Sequence, residues 1–507
     1  MLLSCFVGLA HVACADHDAP PVGPRIDPRI DQTLPTVHVR ATDPDTHGVL
    51  ACKVTIVARA GGADPNWQGT GEPDHVGLWL HDAVLSGRTA VASRCDFDLP
   101  LAAGSYDITV SNGPEREIVL TTLTVGGATL MARIDASLAR AVDSSGWACG
   151  DLHVHSAPSI DSDVPLDQRL VAATAEGLDV IVPTDHDARE PWAPALRAEH
   201  LESLVHVIEG DEISPGSWDA EHKGHFNVYP VPSGVRVPED LPFAGLTVAQ
   251  IVDRARANVP DAILQINHPR WDAAIGYFDV IDLDRLTGMG AMGETIADFD
   301  AIEVWNGHEL DLAPGDVAVE EVLADWYALL NRGHLMVATG NSDTHRLSKT
   351  PVGYPRTCVR VTNDAPGSIS DGDFVEGLRH GQAFVTSGIF VDLLVGGQSP
   401  GETIAPADGS VPIEMHLQAA SWVPMTELDV IVDGEVVQTL AVPAERPASL
   451  TTSISVTHDA FVLVVVRGDG PLGPAAGAHA AATRSLAFTN PVFVDADRDG
   501  RWTPQAP

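Results

Sequence analysis

Basic residues are scarce in this chain: 30 lysines and arginines stand against 70 aspartates and glutamates, a formal charge of −40 over 507 residues. A surface of that sign repels phosphate backbones and anionic lipid, so neither nucleic acid nor an anionic membrane is an expected partner. The acidity is spread along the sequence rather than held in one tail, and reads as a solvated surface. Long apolar runs are also missing. Beyond the first residues, no segment approaches the ~20 apolar residues that a membrane span needs. No Cys-x-x-Cys pair occurs, which argues against a thiolate metal site. The phosphate loop G-x-x-x-x-G-K-[S/T] is absent, as are internal repeats. A hydrophobic content of 44% nevertheless excludes a wholly disordered chain.

What is present begins with Met1-Leu2-Leu3-Ser4-Cys5-Phe6-Val7-Gly8-Leu9-Ala10, a short apolar stretch followed by small residues. It resembles an export signal over residues 1–18, although no basic residue precedes it. Val12-Ala13-Cys14 resembles a lipoprotein cleavage site, with Cys14 as the lipidated residue, although His11 stands where leucine is usual. The expected location is therefore outside the cytoplasm: periplasm, outer-membrane surface or medium. Cys52, Cys95, Cys149 and Cys358 remain, an even count that permits disulfides in an exported chain. Cys52 and Cys95 fall in one expected domain and make the first choice of pair.

Residues 19–35 carry five prolines and no hydrophobic period, and read as a linker. Residues 36–147 show short alternating runs such as Lys53–Ala58 and Tyr106–Ser111, the latter followed by the turn dipeptide Asn112-Gly113. They are expected to form a β-sandwich. Over 148–390 strand-like runs alternate with helix-like ones. Pro165 and the capping box Thr247–Gln250 open two helices, and Gly333 ends another. That rhythm predicts a parallel (β/α) barrel. Residues 391–507 return to alternation, with a hairpin turning on Asp433-Gly434, and are expected to form a second β-domain.

Histidines and carboxylates collect at the ends of the middle region's expected strands. They fall in Gly150-Asp151-Leu152-His153-Val154-His155-Ser156, Thr184-Asp185-His186-Asp187, Ile208-Glu209-Gly210, Gly224-His225-Phe226, Ile266-Asn267-His268-Pro269-Arg270 and Asn341-Ser342-Asp343-Thr344-His345. The i, i+2 spacing of His153 and His155 places both imidazoles on one face of a strand. Mixed imidazole and carboxylate donors suit zinc, manganese or iron. His38, His75, His206, His334 and His416 lack such partners and read as structural or exposed.

In this order, the motifs resemble those of the polymerase-and-histidinol-phosphatase (PHP) superfamily, and within it the CehA/McbA-like metallohydrolases. The resemblance covers roughly 148–390 and extends to Phe488-Thr489-Asn490-Pro491. It implies a distorted (β/α)7 barrel holding two or three metals, flanked by β-sandwich-like domains. It further implies that His153, His155, Glu209 and Asp343 bind one ion. Glu209 would bridge to a second, held by His225 and His268, with His222 the near alternative to His225. A third would be held by His186, His345 and Asp161, with Asp163 competing for Asp161's place. Asp151 and Asp185 would orient the imidazoles.

The activity so implied is hydrolysis of a phosphoester, or of a carboxyl or carbamate ester, by a metal-activated hydroxide. Asp343 or His345 would shuttle the proton. Arg270 would bind an anionic substrate, or else be ion-paired. The rival expectation is an exported binding protein with a metal-stabilised, non-catalytic barrel. Separately, Asp495, Asp497 and Asp499 match the start of a calcium loop, but Ala506 stands where its last ligand, a glutamate, belongs.

Overall fold

The computed structural model describes residues 25–504, except 60–61, 68–75, 127–131, 216–221, 234, 236–244, 272–274, 308–318, 408 and 477–483. The signal-like segment 1–18, with Cys14, lies outside the described residues, as does residue 506.

The N-terminal unit packs two sheets. The strand Thr36–Thr42 alternates buried and half-buried residues, as a strand with one covered face must. It pairs with Asp96–Pro100 and Ala132–Ser137. A six-stranded sheet centred on Cys52–Ala58 and Gly104–Ser111 lies against it. Val37 and Val39 share one core with Val54, Ile56 and Ile108. A Cys52–Cys95 disulfide forms in this unit.

Asn112-Gly113 does not make a two-residue hairpin. Val110 pairs with Val119, so the connection runs through a longer loop. Asn112 instead donates its side-chain N–H to the carbonyls of Thr174 and Ala175, at the end of the helix Leu166–Ala175. Its neighbour Gly113 has φ +70°, and a Cβ there would stand 2.1 Å from the Glu176 carbonyl oxygen. The pair is therefore a docking contact between units.

The middle region corrects the expected (β/α)7 barrel. The protein is β-rich, 39% strand and 14% helix, and its strands form several sheets rather than one closed ring. Trp147–Val154, Val180–Pro183 and His206–Val207 run parallel in one sheet. Asp211–Ile213, Phe226–Tyr229, Ile263–Ile266, Ala301–Asn306 and Val337–Asn341 form another. In the second sheet the first pairings are antiparallel and only the last two are parallel. After Asn341 the chain reverses, and Arg356–Arg360 pairs antiparallel with Trp147–Val154. A second disulfide, Cys149–Cys358, joins these two strands. The alternation of strand and helix signals was real, but hydrophobic period carries no information on strand direction.

That reversal draws the first sheet onward. It continues through Ala383–Thr386, Arg484–Thr489, Ala460–Pro471 and Glu427–Val432 to the edge strand Glu435–Ala441. The expected boundary near residue 390 is thus crossed by a backbone ladder, Ala383–Thr386 against Arg484–Thr489. Phe390–Val395, Ser410–Gln418 and Ala448–Ser455 form a separate sheet that shares a core with this extension. The Asp433-Gly434 turn has φ of 52° and 90°, the left-handed pair that a tight hairpin requires.

The two middle sheets meet at their edges through isolated parallel bridges, Val154 to Thr344 and His186 to Glu212. This seam positions the site described below. No helix among the described residues is long and apolar enough to cross a membrane.

Gly113→Ala is expected to destabilise the protein by about 2 kcal/mol or more, since it adds both a clash and left-handed strain. Gly372→Ala, in the helix Asp371–Arg379 with open space around its Cβ position, should be neutral or stabilising. Denaturant unfolding of both variants checks this.

Candidate metal centre

The strand Trp147–Val154 is buried along its whole length and ends by delivering His153 and His155, both fully buried, to the seam. Opposite them, the short strand Asp211–Ile213 presents Glu212, also fully buried. Its carboxylate is surrounded by five imidazoles. Oε2 lies 3.3 Å from His153 Nε2, 3.3 Å from His155 Nε2 and 3.1 Å from His186 Nδ1. Oε1 lies 3.2 Å from His225 Nδ1 and 3.4 Å from His268 Nε2.

Asp343 closes a second side, with Oδ1 at 3.3 Å from His153 Nε2 and 3.1 Å from His155 Nε2. Asp161 closes a third, with Oδ2 at 3.2 Å from His186 Nε2 and 3.1 Å from His345 Nε2. The rings of His155 and His345 stack at 4.0 Å.

Outer hydrogen bonds fix the ring orientations. His153 Nδ1 donates to Glu303 Oε1 at 3.0 Å, which turns Nε2 toward Glu212 and Asp343. His155 Nδ1 donates to Ser159 Oγ, which in turn donates to Asp161 Oδ1. His345 Nδ1 donates to the Asp343 carbonyl at 2.9 Å. Asp151 accepts from the backbone of Ser342 and Gly353, and Asp185 from Ser156. His268 and Asp343 are held at φ of 24° and 51°, strained values of the kind that cluster at functional sites.

The electrostatics are mutual. Burial pushes the Glu212 carboxyl up, but His186, His153 and His225 outweigh it and hold it well below the usual carboxylate range. Asp343 is held low in the same way by His153 and His345. Burial lowers His155, yet Asp343 and Glu212 lift it to about 10. Burial and the neighbouring His155 push His345 down to about 4.

The donors fit divalent ions. His153 Nε2, His155 Nε2 and Glu212 Oε2 are buried and complete no hydrogen bond, although they converge on one another. Donor atoms lie within 4.8 Å of one another in each of four groups: His155/Asp161/His186/His345, His153/His155/Glu212, His153/His268/Asp343 and His186/Glu212/His225. Imidazole nitrogen and carboxylate oxygen in this ratio are a zinc, manganese or iron donor set. The group Glu115/Cys149/Asp179 also converges, but Cys149 is spent in its disulfide.

Most residues singled out in the sequence come together here: His153, His155, Asp161, His186, His225, His268, Asp343 and His345. Two do not. Glu209 points away, accepting from the Trp192 backbone N–H at 2.9 Å with Arg189 3.9 Å off. The central carboxylate is Glu212, three residues later. Gly210 lies in the short break between the two strands, and a Cβ there would meet the Pro183 carbonyl at 2.9 Å. Arg270 is ion-paired: it grips the buried Asp325 through Nε and Nη2, and Asp279 through Nη1. Its guanidinium braces the loop after His268.

Glu303 was missed altogether. An acidic residue inside the apolar run Ala301–Asn306 was its only signal. His222 is exposed, whereas His225 is buried in the cluster. In the calcium-like turn, Asp495 accepts from the backbone N–H groups of Asp499 and Gly500, and Asp497 from that of Asp499. These carboxylates close the turn on itself.

No family model and no curated protein matches this chain. Among solved structures it is similar to an engineered protein at 11% identity, with 73% of this chain and 56% of that one covered and a TM-score of 0.15. It thus spans little more than half of that protein's length. It is also similar to the FMN-binding beta-glucuronidase from Facaelibacterium prausnitzii L2-6 at 7% identity, with 91% and 73% covered and a TM-score of 0.18. Likenesses this loose establish neither a shared fold nor a shared chemistry.

Glu212→Gln should lower bound metal per chain by at least one ion, while Glu209→Gln should leave it unchanged. Elemental analysis of protein purified without chelator reads both.

Proposed function

We propose that this protein is a metal-dependent hydrolase. The observation that carries the reading is Glu212, fully buried and within 3.4 Å of five imidazole nitrogens from four separate segments. A structural core has no use for so many titratable groups around one buried charge, because each desolvated group weighs against stability. The order of the motifs, similar to that of PHP-type hydrolases of the CehA/McbA branch, supports the reading through the donors alone and not through the fold.

Two or three divalent ions bound there would activate water and polarise the bond under attack. In this arrangement Glu212 and Asp343 stay ionised, so they hold cations without first giving up a proton. Glu303, Ser159 and the Asp343 carbonyl hold the Nδ1 protons of His153, His155 and His345, which leaves the Nε2 lone pairs facing inward. The candidates for moving a proton are His345, when its Nε2 is not holding an ion, and Asp343, whose Oδ1 faces the imidazoles and whose Oδ2 accepts from the Asn306 amide. The substrate class is a phosphoester, or a carboxyl or carbamate ester.

Export is part of the proposal. It rests on the signal-like start and on both disulfides, which together pair every cysteine after Cys14. Lipidation at Cys14 is proposed on the sequence pattern alone.

His153→Ala should abolish turnover of a responsive ester, by a factor of a thousand or more, while the far-ultraviolet circular dichroism stays close to that of the parent. Chelation should do the same, reversibly on adding manganese, iron or zinc. A His153→Ala protein with parental turnover would sink the assignment.

A further inference from the structure

The helix Leu166–Ala175 carries a side chain that the chemistry above does not use. Arg169 is fully buried, and no carboxylate is among its hydrogen-bond partners. Its guanidinium donates four hydrogen bonds. Nε reaches the His155 carbonyl at 3.1 Å, Nη1 the Thr344 hydroxyl at 3.0 Å and the Arg346 carbonyl at 3.1 Å, and Nη2 the Thr344 carbonyl at 3.3 Å. These acceptors belong to the two segments that meet at the seam, one ending in His155 and the other running from Asp343 to Arg346 around His345. The backbone joins them there through one isolated bridge and two hydrogen bonds, from the His155 N–H to the Thr344 carbonyl and from the Asp343 N–H to the His153 carbonyl.

A buried guanidinium satisfied by carbonyls is costly to hold, and a core gains nothing from it that a leucine would not supply better. What it supplies is geometry. Its planar fork spans several acceptors at fixed angles, which a lysine's point charge cannot do.

We propose that Arg169 is a positioning residue for the metal centre: it sets the spacing of His155 against His345, and so the ion held by His155, Asp161, His186 and His345. This rests on the metal-centre reading above. The clamp's helix is itself anchored to the N-terminal unit. The next residue back, Gln168, makes two hydrogen bonds with the backbone of Gly77 in the N-terminal unit. Glu176, just past the helix end, forms a buried ion pair with Lys53 of the same unit. The N-terminal sandwich thus holds the helix, and the helix holds the centre.

The test is a cobalt(II) titration of the chelator-stripped, full-length protein, followed by visible absorption and equilibrium dialysis. Arg169→Lys, which keeps the charge but not the fork, should weaken one cobalt ion at least ten-fold and leave the others near their parental affinity. Arg169→Met should lose that ion altogether. Gln168→Ala should weaken the same ion by a smaller factor. If Arg169→Met fails to fold, the other two variants decide. Parental affinity and spectrum in Arg169→Lys would overturn the role of Arg169, and so would a uniform loss of every ion. A parent protein that binds no cobalt would overturn the metal reading and this inference with it.

Discussion

The structure turns on one buried negative charge. Glu212 sits where the edges of two sheets meet, out of contact with water, and an isolated carboxylate there would be prohibitively costly. The surroundings answer that charge with five imidazoles rather than with a single arginine. An arginine would neutralise it permanently, whereas imidazoles can give up their protons to a cation. The choice of partner separates a structural ion pair, such as Arg270 on Asp325, from the proposed metal site, whose imidazoles would exchange protons for cations. The same chain contains both, a short distance apart in sequence.

Holding five rings on one carboxylate requires that each be fixed from behind. Glu303 illustrates how this is done. It accepts from His153 Nδ1, from the His268 backbone N–H, and from the amides of Asn306 and Asn341. One carboxylate thereby orients donors from three different segments. With it in place, His268 and Asp343 are held in left-handed backbone that neither would adopt alone. Such strain persists only where surrounding bonds over-determine it.

The imidazoles and carboxylates of the cluster were largely legible in the sequence because each is local to its motif. An imidazole at the end of an apolar run is visible without knowing where the run leads. Glu209 was mistaken for Glu212 because the strand His206–Val207 stops before Glu209, and the break through Gly210 leads into a second short strand that carries Glu212. Two acidic residues three apart, with a glycine between, cannot be ranked by pattern alone. Glu303 was hidden for the opposite reason: it lies within a strand, and one charge in an apolar run reads as noise until its partners are known. The capping box Thr247–Gln250 formed as expected, with both of its reciprocal bonds, because caps are local too. Arg270 could not be resolved from sequence, since Asp325 lies 55 residues away.

The barrel was wrong for a reason that also explains why the site survives without it. Strand direction is decided by connections and long-range pairing, which periodicity does not record. The proposed metal cluster would need no closed barrel, only several strand ends brought within a few ångströms and held there. Here two open sheets of mixed direction do so by abutting at two bridges. One sheet runs on without a break into the C-terminal unit, and the helix beside the site is pinned by the N-terminal one. The flanking units are therefore not appended modules. They supply the rigidity that closure would otherwise give, and so the seam does not need a complete ring of helices behind it.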